Sequence, residues 1–182
     1  MLVRATRKRV TDSIIRFNSK HPDITFKTVF DFAEKDFEKY DIIIDEKTDA
    51  YEEYENFELC TLRIRFKASS KSPLCHKKLT LKQLCSQSFI SWGEQSNMHK
   101  LLMRACNNAG FTPNIAVHSN DIECNDKLIA SGMGIGLASQ TTNETSFLDI
   151  TDFDERYTVY CYYKSQSYYG NVKHFLNFLK NE

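Results

Sequence analysis

Several features that mark specialised classes of protein are absent from this sequence of 182 residues. It has only six glycines and three prolines, which excludes a collagen-like repeat, and its apolar content of 41% excludes a disordered chain. No apolar run approaches the ~20 residues that span a bilayer, and none follows the basic N-terminus as a signal peptide would require. Because 24 basic residues are balanced by 24 acidic ones, no net positive field exists to attract nucleic acid.

The cysteines form no disulfide or metal pattern, since there is no CxxC pair and no regular spacing. The six are Cys60, Cys75, Cys85, Cys106, Cys124 and Cys161. A small secreted disulfide scaffold is shorter and denser in cysteine, so we interpret these residues as reduced thiols in a cytoplasmic protein. Their spacing assembles no zinc site. We predict neither a metal nor a cofactor.

Catalytic motifs are also missing. The sequence contains no GxSxG elbow, Walker loop or HExxH helix, and none of its five histidines has a partner at motif spacing. We therefore predict no catalytic residue.

What the sequence does contain is an alternation of strand and helix patterns. In the N-terminal part the pattern predicts a strand at residues 1–5, a helix that begins after Thr6 and ends before Pro22, a strand at 24–26, a short helix at 32–38 and a buried strand at 40–44. This order predicts a mostly parallel sheet with helices on its faces.

A second alternating part follows strand-like residues 57–66 and a polar connector at residues 67–72. Its clearest helix covers residues 97–108, and Gly110 lies where a C-terminal cap is expected. The other predicted elements are helices at 80–85 and 121–131 with a closing helix around 172–179, and strands at 89–92, 115–117, 135–138, 147–150 and 157–163. We expect Asn120 and Glu123 to form a capping box for the helix at 121–131.

The glycine-rich segment GMGIG at residues 132–136 resembles a nucleotide-binding loop in composition only. A dinucleotide fingerprint follows a strand and opens a helix, whereas these glycines follow a helix and precede a strand. We interpret Gly132 as a helix cap, and the other glycines as positions where helix and sheet approach closely.

Charge is concentrated in one region. Residues 31–58 hold three basic and twelve acidic residues, and the stretch 45–58 also contains Tyr51 and Tyr54. We interpret this stretch as a solvated loop, and an acidic interaction patch is the alternative.

Polar residues at three predicted helix starts give the most useful functional signal. They are Thr6 with Arg7, then Glu94, Gln95, Ser96 and Asn97, and finally Ser119 and Asn120. In open α/β sheets, ligands bind at the carboxyl ends of strands, where helix N-termini present free N–H groups. The same residue types are ordinary helix caps. Convergence of all three starts on one cleft would favour a binding site.

Several segments together resemble the effector-binding domain of LysR-type transcriptional regulators. They are LTLKQLCSQSFISW, RACNNAGFTPNIAV and NDKLIASGMGIGLAS in the middle of the chain, with KHPDITF and YDIIID before them. Their order follows the family's progression from residue 2 to about residue 179. The resemblance implies an α/β, type II periplasmic-binding-protein-like fold of two Rossmann-like lobes joined by two crossovers. The implied bounds are residues 1–68 for lobe I, 69–150 for lobe II and 151–182 for the return to lobe I.

The resemblance also implies a function and a site. The family's domain binds a small effector between its lobes and so controls DNA binding or transcription by the full-length regulator. Carried over to this chain, the effector-binding residues are Thr6, Arg7, Ser69, Gln95, Ser96, Asn97 and Asn120. We expect them to bind a small anion, such as a carboxylate.

The family further implies a homodimer, with a tetramer possible for the full-length protein. Residues 7–30 of one subunit would pack on residues 97–108 of the other. The family's N-terminal winged helix-turn-helix and linker helix are absent from this sequence, so we expect no DNA contact by this chain alone. The lack of a long apolar run predicts no membrane contact. Ser139 and Gln140 stand where the family has a proline, and the segment 141–147 is short, which predicts a smaller or differently shaped pocket.

Two other functions stay open at this point. A solute-binding protein of a transport system would share the architecture, but it would be a monomer with a secretion signal. An enzyme on the two-lobed fold would need an acid, base or nucleophile with a shifted pKa in the cleft. Its candidates, Glu94 and Asp121, lie at helix starts where acidic residues ordinarily act as caps.

Overall fold

The computed structural model describes residues 1–31 and 34–182. The strands and helices, in chain order, are β1 (Leu2–Val3), α1 (Arg7–Asn18), β2 (Ile42–Glu46), β3 (Glu55–Ser69), β4 (Lys78–Leu79), β5 (Ser88–Ser91), α2 (Asn97–Asn108), β6 (Asn114–His118), α3 (Ile122–Ala130), β7 (Gly136–Ala138), β8 (Thr145–Phe147), β9 (Asp149–Ile150), β10 (Glu155–Tyr163) and α4 (Gly170–Lys180). They form two compact units. Unit 1 comprises residues 1–62 and 157–182, and unit 2 comprises residues 63–156. The long strands β3 and β10 each continue from one unit into the other. The lobe bounds implied by the family stay a prediction.

Unit 1 is built on a small sheet covered by two helices. β1 pairs with β2 in parallel, and β10 pairs with β2 in antiparallel orientation. The β-branched run of β2 is buried, as expected for a central strand. α1 contributes Val10 and Phe17 to the same core that receives Phe175 and Leu176 from α4. The apolar spacing in the sequence therefore marks the buried faces of both helices correctly.

The strand predicted at residues 24–26 is wrong. The Ile24 N–H donates to the carbonyl of His21 at 3.1 Å, in a turn that follows α1. Ile24 is nevertheless buried in the core of unit 1. The pairing with β1 is made by Val29, whose N–H donates to Met1 O at 3.0 Å. The apolar alternation around Ile24 therefore reflects burial of that side chain. The residue that pairs with β1 is Val29, three residues after Phe26.

The helix predicted at residues 32–38 falls in part on residues 32–33, which lie outside the described residues. Within the described part, Phe37–Lys39 forms a single 3-10 turn. The turn is too short to carry an amphipathic face.

The acidic stretch 45–58 is a solvated loop only in part, because most of its acidic residues are exposed whereas Asp45 is buried. It includes the end of β2, a 3-10 turn at Asp49–Tyr51 and the start of β3. Asp45 and Tyr51 are buried, and the Tyr51 hydroxyl donates to Asp45 Oδ2 at 2.8 Å. Arg4 also forms an ion pair with Asp45, at 3.4 Å. Arg4, which directly follows β1, therefore neutralises the buried carboxylate of Asp45. The composition of the stretch gives no sign of this ion pair.

The strands of unit 2 pair in both parallel and antiparallel orientation. β5 and β6 are parallel, β4 and β9 are parallel, and β3 pairs in antiparallel orientation with β7 and β8. Ile135 adds a single parallel bridge to Phe89 of β5. The polar connector predicted at 67–72 is wrong over its first part, because Lys67 and Ser69 are buried within β3.

The glycine-rich segment ends a helix and approaches a strand, as its interpretation requires. Gly132 has a φ of +82°, and its N–H donates to Ile129 O at 3.0 Å. A Cβ on Gly134 would lie only 2.8 Å from the backbone oxygen of Ser88 in β5. The nucleotide-loop alternative is therefore excluded by the position of these glycines after α3.

We expect the substitution Gly134→Ala to lower the free energy of unfolding by about 1–3 kcal/mol, because the backbone of β5 must shift to admit the methyl group. Urea denaturation measures the change. Ser131→Ala is the control, since Ser131 is exposed at the end of α3, and it should change stability by less than about 0.5 kcal/mol. Equal effects of the two substitutions would contradict the close approach at Gly134.

Candidate functional site

The carboxyl ends of β5 and β6 form the candidate site in unit 2. The two strands are parallel and end at Ser91 and His118, which are paired in register. Each strand is followed within a few residues by a helix, α2 after β5 and α3 after β6. The free N–H groups and positive dipole ends of two helices are therefore placed at neighbouring strand ends.

A hydrogen bond joins the two turns that precede these helices. The N–H of Gly93 donates to Asn120 Oδ1 at 3.0 Å. A Cβ on Gly93 would lie 2.6 Å from that same oxygen, so only glycine permits this approach without movement of Asn120. The turn bearing Gln95, Ser96 and Asn97 is thereby held beside the turn bearing Asn120.

Ser96 is the N-cap of α2, because its Oγ accepts a hydrogen bond from the His99 N–H at 3.1 Å. The capping box expected from Asn120 and Glu123 is not formed. Asp121 caps α3 instead, since its Oδ1 accepts from the Cys124 N–H at 2.7 Å. The side chain of Asn120 therefore does not cap α3, and it accepts the hydrogen bond from the Gly93 N–H instead. Gln95, Asn97 and Asn120 are exposed.

Two histidines lie at the same strand ends. His99 Nδ1 is 2.9 Å from Ser91 Oγ, and the centroids of the His99 and His118 rings are 5.3 Å apart. His118 Nδ1 lies 3.2 Å from the carbonyl oxygen of Trp92. Because a carbonyl can only accept, this nitrogen of His118 carries a proton and donates. Burial, followed by the neighbouring His118, lowers the pKa of His99, and Glu94 opposes the shift.

Asn125 in the first half of α3 adds a polar atom with no partner. Its side chain is buried, and Nδ2 donates to Ser119 O at 3.0 Å. Its Oδ1 is buried and has no hydrogen-bond partner among the described residues. An unsatisfied buried acceptor costs about 1–3 kcal/mol. Asn125 therefore holds an unsatisfied buried acceptor close to the β6–α3 turn.

The remaining predicted residues are placed elsewhere in the chain's two units. Thr6 lies in unit 1 at the start of α1 with a φ of +46°, and its side chain does not cap the helix. Left-handed backbone is costly for a β-branched residue, and such strain is concentrated at functional positions. Arg7 Nη2 donates to Phe30 O at 3.4 Å, and the guanidinium lies over the Phe30 ring.

Ser69 belongs to unit 2 and ends β3. It is buried and pairs with Thr145 of β8. Its carbonyl oxygen accepts hydrogen bonds from the Ser72 N–H at 2.9 Å and from the Cys75 thiol at 3.3 Å. Ser69 therefore lies within a paired strand and not on the polar connector that the sequence suggested.

The structure thus brings together four of the predicted residues, Gln95, Ser96, Asn97 and Asn120, and it adds four that the sequence analysis missed. The missed residues are Ser91, His99, His118 and Asn125. The spacing did contain a signal for His99, which lies three residues after the cap Ser96 and so faces the first turn of α2. No local pattern signals the pairing of Ser91 with His118.

Within residues 1–31 and 34–182, no group of three or more His, Cys, Asp and Glu residues is arranged to hold a metal ion. Over the same residues, every helix is too short or too polar to cross a membrane.

The model of the LysR substrate binding domain matches residues 4–182. This chain therefore belongs to the LysR substrate-binding-domain family, and it is a ligand-sensing regulatory domain of the LysR type with the α/β, type II periplasmic-binding-protein-like fold. No curated protein matches the sequence.

Solved structures of low sequence identity share this fold. The regulatory domain of CcmR from Synechocystis PCC6803, in complex with 2-PG, has 17% identity and a TM-score of 0.85, with 99% of this chain and 93% of that chain covered. The effector-binding domain of QuiR in complex with shikimate has 18% identity and a TM-score of 0.77, with 98% and 92% covered. The BenM effector-binding domain with benzoate has 14% identity and a TM-score of 0.77, with 99% and 89% covered.

Proposed function

We propose that this domain binds a small anion, with a carboxylate as the recognised group, at the starts of α2 and α3. The observation that carries the proposal is the Gly93–Asn120 hydrogen bond, which holds two helix N-termini side by side at the ends of parallel strands. Two helix N-termini at one place favour negative charge more than one does.

The side chains at this place suit a carboxylate that also bears polar groups. The exposed amides of Gln95, Asn97 and Asn120 can donate to carboxylate oxygens, while the unpaired Oδ1 of Asn125 requires a donor. Shikimate and benzoate, bound by the similar domains of QuiR and BenM, are carboxylates. The wider prediction, in which Thr6, Arg7 and Ser69 contact the same ligand, stays a prediction.

The regulatory consequence follows from linkage. A ligand that binds one conformation of the domain more tightly shifts the population toward it. We propose that a DNA-binding segment of the full-length protein responds to this shift, that the domain acts as a homodimer and that it catalyses no reaction. Sedimentation of the 182-residue chain tests the dimer, and a monomer at high concentration would contradict it.

Thermal melting against a panel of carboxylates tests the site. A ligand at a hundred times its Kd stabilises the native state by about 2.7 kcal/mol. We expect Ser96→Ala together with Asn120→Ala to remove most of this ligand-induced shift. Because Ser96→Ala also removes a helix cap, Thr48→Ala is the matched control, since Thr48 caps the 3-10 turn of unit 1. Unchanged ligand-induced shifts in the double variant would refute the site.

The pH dependence of binding gives a second test. The lowered pKa of His99 keeps this ring neutral near pH 7, and a bound anion beside it raises that pKa again. In the interval between the two pKa values the bound state holds more protons, so the affinity for the anion increases as pH falls through that interval. The stability of the free protein depends on pH with the opposite sign. The unfolded state holds more protons below the ordinary pKa of 6.5, so stability decreases there as pH falls.

Calorimetric titration with the stabilising carboxylate at pH 6 and pH 7.5 measures this dependence. His99→Gln should make the affinity nearly independent of pH over that range, whereas exposed His76→Gln should leave the dependence unchanged. A pH dependence that survives His99→Gln would show that another group takes up the proton.

A further inference from the structure

Three cations alternate along one face of β3. Arg63, Arg65 and Lys67 are two residues apart, and side chains at that spacing lie on the same side of a strand. Arg63 Nε lies 2.7 Å from Asp154 Oδ1, and Lys67 forms an ion pair with Asp126. Among the described residues, Arg65 has no carboxylate partner. The middle cation of the row is therefore the one whose charge is not neutralised.

The guanidinium of Arg65 is held in place by an aromatic ring. Its Cζ lies 3.6 Å from the centroid of the Phe147 ring, so the ring covers one face of the planar cation. Its Nε is buried and donates to no acceptor in the part of the chain that the structure describes. Stacking satisfies the face of the guanidinium but none of its N–H donors, which point outward in the plane.

Arg65 lines a pocket of about 230 Å³. Its lining includes Arg63, Arg65, Phe66, Phe147, Asp149 and Phe153. The pocket is smaller than the ~300–1,000 Å³ of sites for drug-sized ligands. Aromatic rings next to a cation with free donors suit a flat apolar body that carries an acidic group.

We propose that this pocket binds a small organic monoanion, a carboxylate on an aromatic or other flat apolar body. The carboxylate accepts two parallel hydrogen bonds from Arg65, the geometry that guanidinium groups favour. Asp149 also lines the pocket, and its negative charge opposes a second negative charge on the ligand. The size and the charge both select a simple monoacid over a phosphate ester or a diacid.

This site lies outside the function proposed above. None of its lining residues belongs to the turns before α2 and α3, and its anchor is a side-chain cation instead of helix N–H groups. The two sites are therefore separable by substitution.

Benzoate is the probe, and benzamide is its neutral counterpart of the same shape. In nitrogen–proton correlation spectra of the 182-residue chain, the Nε–H signal of Arg65 is assigned by its loss in Arg65→Gln. We expect benzoate to shift this signal, because a carboxylate bound to the guanidinium polarises the whole cation, and we expect the neutral benzamide to shift it far less. The affinity measured by this shift should rise in Asp149→Asn, because a repelling carboxylate is removed.

The effect of Arg65 on affinity is measured by calorimetry. Loss of a hydrogen bond to a charged group costs ~1.5–3 kcal/mol, so Arg65→Gln should weaken benzoate binding by about 10–100-fold. Arg65→Lys retains the charge but not the paired donors, and it should bind with intermediate affinity. Arg104→Gln is the matched control, because Arg104 is an exposed arginine of unit 2 paired with Glu155.

The outcomes separate this site from the helix starts. Ser96→Ala with Asn120→Ala should leave the benzoate-induced shift of the Arg65 signal unchanged. An unmoved Arg65 signal at saturating benzoate, or an equal affinity of Arg65→Gln and the unaltered chain, would overturn the proposal. Benzoate binding that depends on Ser96 and Asn120 alone would also overturn it, while leaving the proposed function intact.

Discussion

Replacement of Phe17 by alanine is expected to lower the free energy of unfolding by about 3–5 kcal/mol, the range for truncation of a buried phenylalanine. Phe17 of α1 is 1% exposed. Its ring meets those of Phe26, Phe175 and Phe178 edge to face, with centroids 5.9, 5.1 and 5.4 Å away. The alanine variant leaves a cavity that three rigid rings cannot close, so the loss includes both transfer and packing energy.

Urea denaturation followed by circular dichroism measures this loss. Ile15→Ala on the same helix is the control, because Ile15 is 62% exposed. It should change stability by less than about 0.5 kcal/mol. A loss below about 1 kcal/mol for Phe17→Ala would show that the aromatic cluster repacks around the vacancy.

The second large effect is expected at the ion pair between Lys67 and Asp126. The side chain of Lys67 is 4% exposed, and that of Asp126 is 25% exposed. Asp126→Ala leaves a buried ammonium without its carboxylate, which costs about 3–5 kcal/mol. The double variant Lys67→Met with Asp126→Leu should recover most of that loss, because no charge then needs a partner.

Burial decides which ion pairs of unit 2 matter. Asp154→Ala is the comparison, since Asp154 pairs with Arg63 while both side chains are more than half exposed. Its cost should stay below about 1 kcal/mol. The interpretation fails if Asp154→Ala and Asp126→Ala have the same effect on the urea midpoint, or if the double variant is as unstable as Asp126→Ala alone.

The sequence predicted those elements that depend on local periodicity. The apolar spacing around Leu102 and the cap at Ser96 predicted α2 at its observed bounds, and the closing helix was recognised from Phe175 and its apolar neighbours. Both predictions use interactions within a few residues, which the sequence displays directly. The assignment of Gly132 to a helix end succeeded for the same reason.

Elements that depend on distant partners were not predictable in this way. The sequence predicts a polar connector at Lys67, since nothing near this residue indicates that it pairs with Asp126, 59 residues away. The pattern at Ile24 indicated burial correctly, but strand pairing needs a neighbour, and β1 pairs with Val29 instead. A lone buried cation or a short apolar alternation does not identify its partner.

The candidate site follows the same division. Ser96 and Asn120 were found because helix starts favour small polar residues. His118 and Asn125 were not found, because their proximity to the β5 end depends on parallel pairing of two strands with α2 between them. Asp121 caps α3 and Asn120 does not, because the Asn120 side chain accepts a hydrogen bond from Gly93. The local sequence does not indicate this distant contact.

The insertion of unit 2 within unit 1 has a consequence for biosynthesis. Residues 63–156 form a contiguous stretch, so their contacts can be completed on the ribosome as soon as that stretch has emerged. The core of unit 1 is completed only after α4 has been translated, because α4 supplies Phe175, Leu176 and Leu179 to the core that α1 begins. Until α4 has been translated, the apolar face of α1 lacks these partners, and contacts across so long a sequence gap form slowly.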